Sequence, residues 1–214
     1  MSIEHSYFSV SRFFDAWVRV MELHTRRMEV EESRHFGSKV LIISPPTDPG
    51  IRLIAKANQR GRTQLLCFSE RLKRIAITNA RERGIESLGI HVAPFFRLRF
   101  VDGELAAVYA NCFFDFCKEQ DFALIFDEIW RVLKVKGSLH MVYMGSPTNF
   151  LSHGWTWAFR RLNFLSQGCH PVSIGPYLSR HGFLLQKDLF VERLGFPLRY
   201  TYAEKQEKLA LLGG

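Results

Sequence analysis

Short continuous apolar runs alternate along this chain with longer stretches of helical periodicity. Lys39-Val40-Leu41-Ile42-Ile43-Ser44 is apolar and β-branched, and it stops at Pro45-Pro46, which predicts a strand buried on both faces and ending in a sharp turn. A helical stretch from Ile51 to Gln59 ends at Gly61, and Thr63 to Phe68 predicts a second strand. Ser69 is the expected N-cap of a helix from Glu70 to Arg83, with Leu72, Ile75, Ala76 and Ala80 on one face and Gly84 as its stop. Leu88 to Ala93 and Glu104 to Ala110 read as the third and fourth strands, Asp121 to Val132 as a helix and Ser138 to Met144 as a fifth strand. Ahead of these, Phe13, Phe14, Trp17, Val18, Met21 and Met28 recur at helical spacing among Arg12, Arg19, Arg26 and Arg27, which predicts one amphipathic helix from Tyr7 to about Glu32. Regular strand–helix alternation of this kind is the signature of a doubly wound α/β sheet.

A chain of 214 residues, 47% hydrophobic and 23% charged, has enough material for one domain with a sizeable core. Its 29 Lys and Arg against 21 Asp and Glu leave a formal charge of +8, a surplus suited to anionic partners. No apolar run approaches the roughly 20 residues that cross a bilayer, and Glu4, His5 and Arg12 break the layout of a secretion signal. The expectation is a cytoplasmic protein, soluble or peripheral to the inner face of a membrane. Cys67, Cys112, Cys117 and Cys169 form no Cys-x-x-Cys pair and no zinc-spaced set with histidine, so they are expected as small buried hydrophobes and no metal is expected.

Glu128-Ile129-Trp130-Arg131-Val132-Leu133-Lys134-Val135-Lys136-Gly137 passes from helix through a glycine turn toward a strand. Arg97-Leu98-Arg99-Phe100-Val101-Asp102-Gly103-Glu104-Leu105 leads into the fourth strand. Together these passages resemble the class I S-adenosylmethionine (SAM) dependent methyltransferases. The closest flavour is that of the ubiquinone/menaquinone-biosynthesis C-methyltransferases of methyltransferase type 11, whose patterns run Glu-Ile-x-Arg-Val-Leu-Lys-Pro-Gly-Gly and Leu-Pro-Phe-x-Asp-Gly-x-Phe-Asp. The resemblance covers about Lys39 to Lys205. It implies a Rossmann-like, doubly wound, seven-stranded sheet, mostly parallel, with an antiparallel edge hairpin. Pro176 to Phe183 resembles the family's last helix and turn, Leu184 to Phe190 and Leu198 to Ala203 the hairpin strands, and Leu194 to Pro197 the loop between them. The whole chain, 1–214, then reads as one methyltransferase-like domain: an N-terminal helical segment (1–37), a Rossmann-like core (38–148), an aromatic and basic cap insertion (149–175), and a C-terminal helix with the edge hairpin (176–205).

The resemblance also marks where SAM would bind, and the residues found there are unusual for it. The glycine loop after strand one is replaced by Ser44-Pro45-Pro46-Thr47-Asp48-Pro49-Gly50, although proline removes an N–H donor and fixes φ. Ile42 stands at the acidic position of strand one, Cys67 at the ribose-binding carboxylate that ends strand two, beside Phe68 and Ser69, and Pro94 at the acidic adenine contact, beside Phe95. A thiol is a poor substitute for a carboxylate. Each lost charged hydrogen bond is worth roughly 1–3 kcal/mol, so three together weaken binding by several orders of magnitude. A register shift of one or two residues across the prolines would instead bring Asp48 to the cofactor as an N-cap. The pocket positions implied are Ser44, Pro46, Gly50, Cys67, Phe68, Ser69, Pro94, Phe95 and Asn111, the last being the polar group best placed to face a ligand at the switch-point edge.

No catalytic residue is identified. His140, His153, His170 and His181 are conceivable bases, although His140 falls inside a strand and His181 ends a helix. Trp155-Thr156-Trp157-Ala158-Phe159-Arg160-Arg161 mixes aromatic bodies with cations, as do segments resting on anionic membranes or lids over hydrophobic substrates. Two functions are compatible with these residues. The first is a methyltransferase-fold protein with a degenerate SAM site, acting as a non-catalytic accessory, assembly or binding subunit. Such a subunit would contact a protein partner through its N-terminal helix or cap, or an anionic membrane surface. The second is an active SAM-dependent methyltransferase acting on a small hydrophobic acceptor such as a quinone precursor. Nucleic acid is disfavoured, because the basic residues are scattered over several helices.

Overall fold

In the computed structural model, which describes residues 7, 20, 23–32, 37–161 and 168–207, seven strands form one sheet in the order β3-β2-β1-β4-β5-β7-β6. The elements run α1 (Leu23–Glu32), β1 (Lys39–Ile43), α2 (Gly50–Ala57), β2 (Arg62–Cys67), α3 (Glu70–Glu82), β3 (Leu88–Val92), β4 (Leu105–Asn111), α4 (Phe122–Val132), β5 (Leu133–Met144), α5 (Phe150–Arg161), α6 (Gly175–Arg180), β6 (Phe183–Arg193) and β7 (Phe196–Lys205). β1 to β5 pair in parallel, while β7 runs antiparallel to both β5 and β6. The chain leaves β1 toward β2 on one side and later re-enters at β4 on the other. The topological switch point, where open α/β sheets bind ligands, therefore lies at the carboxyl ends of β1 and β4.

The central strands are apolar throughout because both of their faces are covered. Val40 to Ile43 and all of β4 are buried, and they join Leu65, Phe114, Phe126 and Ile129 in the main core. α1 packs beside α2, and α4 beside α6. A second cluster joins Phe159 of α5 to Val142, Met144, Phe196, Leu198, Tyr200 and Tyr202, so the segment expected as a cap is seated on β7 through its aromatic residues.

Most element ends agree with the sequence expectation to within two residues, and the exceptions have physical causes. β5 begins at Leu133 rather than Ser138 because α4 hands over directly to extended backbone (Leu133 φ −74°, ψ 141°). Leu105 pairs with Leu133 and Ala107 with Ser138, so the residues between Leu133 and Ser138 bulge out. The left-handed residue in this bulge is Lys136 (φ 62°). Gly137 serves a different need, since a Cβ there would lie 2.8 Å from the Lys134 carbonyl oxygen. At the hairpin, the loop expected over Leu194 to Pro197 contracts to Leu194 and Gly195. Both have positive φ (50° and 79°), as a two-residue turn matched to strand twist requires. Of the expected N-terminal helix, Phe13, Phe14, Trp17, Val18 and Met21 lie outside the described residues.

Candidate functional site

The loop after β1 folds back on itself and spends its donors internally. Asp48 N donates to the Pro45 carbonyl (2.9 Å), Ile51 N to the Asp48 carbonyl (3.2 Å) and Gly50 N to Asp48 Oδ1 (2.7 Å). Pro45, Pro46 and Pro49 have no N–H to give. The expectation that this turn differs from a glycine loop thus has a concrete form: Ser44, Pro46 and Gly50 are all buried at the switch point, and the N–H groups of Asp48, Gly50 and Ile51 are committed within the turn.

Asp48 is held from a second direction. Arg26 of α1 places Nη2 3.3 Å from Asp48 Oδ2 and donates from Nε to Oδ1 at 3.4 Å, with both side chains fully buried. Arg26 Nη2 also lies 3.6 Å from the Cys112 sulfur just past β4, and Tyr7 donates its hydroxyl to the Cys112 carbonyl (3.1 Å). One turn further along α1, Glu29 Oε2 accepts from Asn111 Nδ2 (2.9 Å). Asn111, expected to face a ligand, is therefore fully buried and its amide donor is taken by the chain itself. Sequence reasoning missed Tyr7, Arg26 and Glu29. Helical periodicity treats cations and carboxylates as solvent-facing, whereas the buried face of α1 is Thr25, Arg26 and Glu29. The only signal was the opposite charge of Arg26 and Glu29 three residues apart on one helix face.

Aromatic rings gather where the resemblance points to the nucleoside. Phe68, directly after β2, packs against Tyr7 (5.4 Å between ring centroids), Phe113 (6.0 Å, stacked) and Phe95 (6.3 Å, edge-on), and Tyr7 meets Phe116 edge-on at 5.7 Å. Burial pushes the Tyr7 hydroxyl well above the usual tyrosine range, reinforced by the negative fields of Cys117, Cys112, Asp115 and Asp48. Cys67, which ends β2, is buried, and burial raises its thiol to about 12, so it stays neutral across the physiological range. Ser69 accepts from Leu72 N (3.3 Å) as the N-cap of α3. Pro94 is exposed and is not part of this gathering. Its neighbour Phe95 turns in, because Pro94 opens a turn closed by Arg97 N donating to its carbonyl (3.2 Å). The structure thus brings together Ser44, Pro46, Gly50 and Asn111 at the switch point and Phe68 with Phe95 beside it, while Ser69 and Pro94 play local backbone parts.

The histidines divide in the same manner. His140 is buried between Tyr109 (4.9 Å) and Tyr202 (4.7 Å), its register partners on β4 and β7, and both ring nitrogens are engaged, with Tyr200 Oη and Ser138 Oγ at 3.0 Å each. His181 caps α6 and contacts Asp127 at 2.7 Å. His153 is exposed on α5. His170 lies nearer the carboxyl edge, where its N–H donates to the Asp115 carbonyl (3.1 Å) and its Nδ1 sits 3.1 Å from the Gly168 carbonyl. The motif residues that carry the resemblance are themselves structural. Arg131 grips Glu128 (2.8 and 2.7 Å), Asp102 (2.6 Å) and the carbonyls of Phe100 and Leu98, pinning the approach to β4. Among the described residues no group of histidine, cysteine and carboxylate side chains could hold a metal, and no helix is long and apolar enough to cross a membrane.

The strand order, the switch point and the antiparallel edge hairpin define the class I SAM-dependent methyltransferase fold. Residues 50–141 match the family described as a methyltransferase domain. A chain from the Haloferax volcanii complex containing the Trm112 methyltransferase activator superposes with a TM-score of 0.74 at 16% identity, covering 96% of this chain and 98% of that one. A SAM-dependent methyltransferase from Aquifex aeolicus gives 0.68 at 14% identity, covering 92% and 97%. The [4+2]-cyclase SpnF gives 0.66 at 15% identity, covering 86% and 80%. No curated protein matches the sequence.

Proposed function

We propose that this chain is a methyltransferase-fold protein whose cofactor site has been given over to internal packing, and that it works as a non-catalytic accessory, assembly or binding subunit. The observation that carries this reading is the position of Tyr7, Arg26 and Glu29. Three side chains from ahead of β1 bond and pack at the ends of β1, β2 and β4, the edge at which open α/β sheets take ligands. The residues present do not fit SAM. A neutral thiol stands for the ribose carboxylate, phenylalanine rings flank it, and in the loop after β1 three prolines have no N–H while those of Asp48, Gly50 and Ile51 are spent within the turn. Fold alone does not restore the activity, because function resides in the site, and the likeness to a [4+2]-cyclase illustrates the range of this architecture.

A second reading, an active methyltransferase using SAM on a small hydrophobic acceptor, is favoured by one observation. Thr47 Oγ1 and Asn111 Oδ1 are buried at the switch point without a hydrogen-bond partner among the described residues, and such acceptors could take a ligand's amine or hydroxyl. Isothermal titration with SAM and S-adenosylhomocysteine separates the two. The accessory-subunit reading expects no saturable heat up to millimolar ligand, and a micromolar dissociation constant would establish the enzyme reading in its place.

A further inference from the structure

The outward face of α5 goes beyond the cofactor question. Its inward face is Ser152, Trp155 and Phe159. Trp155 donates Nε1 to the Leu194 carbonyl (2.9 Å) and meets Phe159 and Phe196 edge-on. Asn149 and Ser152 form a reciprocal cap at the start of the helix: Ser152 N donates to Asn149 Oδ1, and Asn149 N donates to Ser152 Oγ, both at 2.9 Å. The helix is thus fixed on the hairpin, and the direction of every other side chain follows. Phe150, Gly154, Trp157 and Arg161, spaced i, i+4, i+7 and i+11, form a single stripe opposite the packed face. Phe150 is 89% exposed and Trp157 63%. The same helix therefore carries one anchored tryptophan and one presented to solvent.

The stripe continues onto the hairpin tip. Gly195 approaches so closely that a Cβ there would lie 2.5 Å from Leu151 Cβ, which sets Leu151 (61% exposed) beside Leu194 (68% exposed). Arg160 and Arg161 are exposed at the far end of the helix and Arg193 at the hairpin, while α5 contains no acidic residue. The nearby Glu192 is engaged by Asn149 Nδ2. Large apolar tips bordered by exposed arginines, on a chain of net charge +8, complement a surface that is apolar beneath and anionic at its boundary.

We infer that the α5 stripe and the β6–β7 turn form an interfacial docking surface for anionic lipid bilayers, with Phe150, Leu151, Trp157 and Leu194 entering the headgroup boundary and Arg160, Arg161 and Arg193 facing lipid phosphates. The test is cosedimentation of the full chain with vesicles of phosphatidylcholine alone or mixed with phosphatidylglycerol, at about 0.05 M and about 0.5 M salt. Binding is expected only to the anionic vesicles and only at low salt. Arg160→Gln/Arg161→Gln should lower the partition coefficient roughly 25-fold, from the usual contribution of each juxtamembrane cation. Trp157→Ser should also weaken binding, while the control Arg97→Gln/Arg99→Gln, which removes exposed arginines on the opposite approach to β4, should bind as the parent. All the substituted side chains are exposed, and unchanged thermal unfolding verifies that each variant folds. Absence of binding to anionic vesicles overturns the proposal in favour of a protein partner. Equal binding to neutral vesicles, or equal loss in the control pair, overturns it as well. The outcome is independent of whether SAM binds.

Discussion

Replacing Asp48 by alanine would leave the Arg26 guanidinium fully buried opposite a methyl group. The carboxylate now receives Gly50 N at 2.7 Å and faces Arg26 at 3.3 and 3.4 Å, with neither side chain exposed. Removing one member of a buried, hydrogen-bonded ion pair costs roughly 3–5 kcal/mol, because the remaining charge stays desolvated. Loss of the cap on Gly50 falls within that range. For a domain whose total stability is about 5–15 kcal/mol this is a large fraction. At roughly 2–4 °C per kcal/mol for a chain of this size, the expected fall in melting temperature is about 6–20 °C. Arg26→Met should cost less, since Asp48 keeps its bond from Gly50 N. In Arg26→Met/Asp48→Ala the two costs should not add, with a coupling of roughly 2–3 kcal/mol. Urea unfolding of the four proteins, followed by circular dichroism, gives the complete cycle. A cost below about 1 kcal/mol for Asp48→Ala, or additive single effects, would mean that the pair is hydrated and that α1 does not seal the switch point.

Alkaline pH should destabilise the fold from about pH 9 upward. Burial raises Cys67 from 9.0 to about 12 and Tyr143 from 10.0 to about 12, so the unfolded chain releases these protons first. The stability is then fully present below pH 9 and is lost as pH climbs toward 12, with Cys67 alone accounting for about 2 kcal/mol by pH 10.5. A urea midpoint unchanged between pH 8 and pH 10.5 would refute this. At the β5 bulge, Lys136→Gly should stabilise by about 1 kcal/mol because Lys136 holds a left-handed φ of 62°. Gly137→Ala should destabilise, since the added methyl would meet the Lys134 carbonyl at 2.8 Å. Thermal unfolding of both variants checks the pair, and equal melting temperatures would contradict the assigned roles.

The strands were legible in the sequence because a buried parallel strand needs an unbroken apolar run, and Val40 to Ile43 and the apolar residues of β4 supply one. Glu128 and Arg131 pair at helical spacing, but their bonds to Leu98, Phe100 and Asp102 cross 29–31 residues, so the motif resemblance and not periodicity advertised the architecture. The prolines after β1 were legible as a turn, and Asp48 closes it on the Pro45 carbonyl. What joins the switch point was not legible. Tyr7 reaches Cys112 and Arg26 reaches Asp48 across 105 and 22 residues, and no periodicity encodes such pairings. The seat of α5 on the hairpin depended on a two-residue turn at Leu194 and Gly195, whereas the sequence suggested a loop of four residues.

The ring of Tyr7 also bears on how this molecule relates to its surroundings. A pocket shaped for a small molecule leaves its lining incompletely packed until the molecule arrives, and the folded population then rises with ligand concentration. Tyr7 is tethered to the residues it touches, at a local concentration that no change in metabolism can dilute. If the chain is the non-catalytic subunit proposed above, the stability of this edge should not rise with SAM concentration.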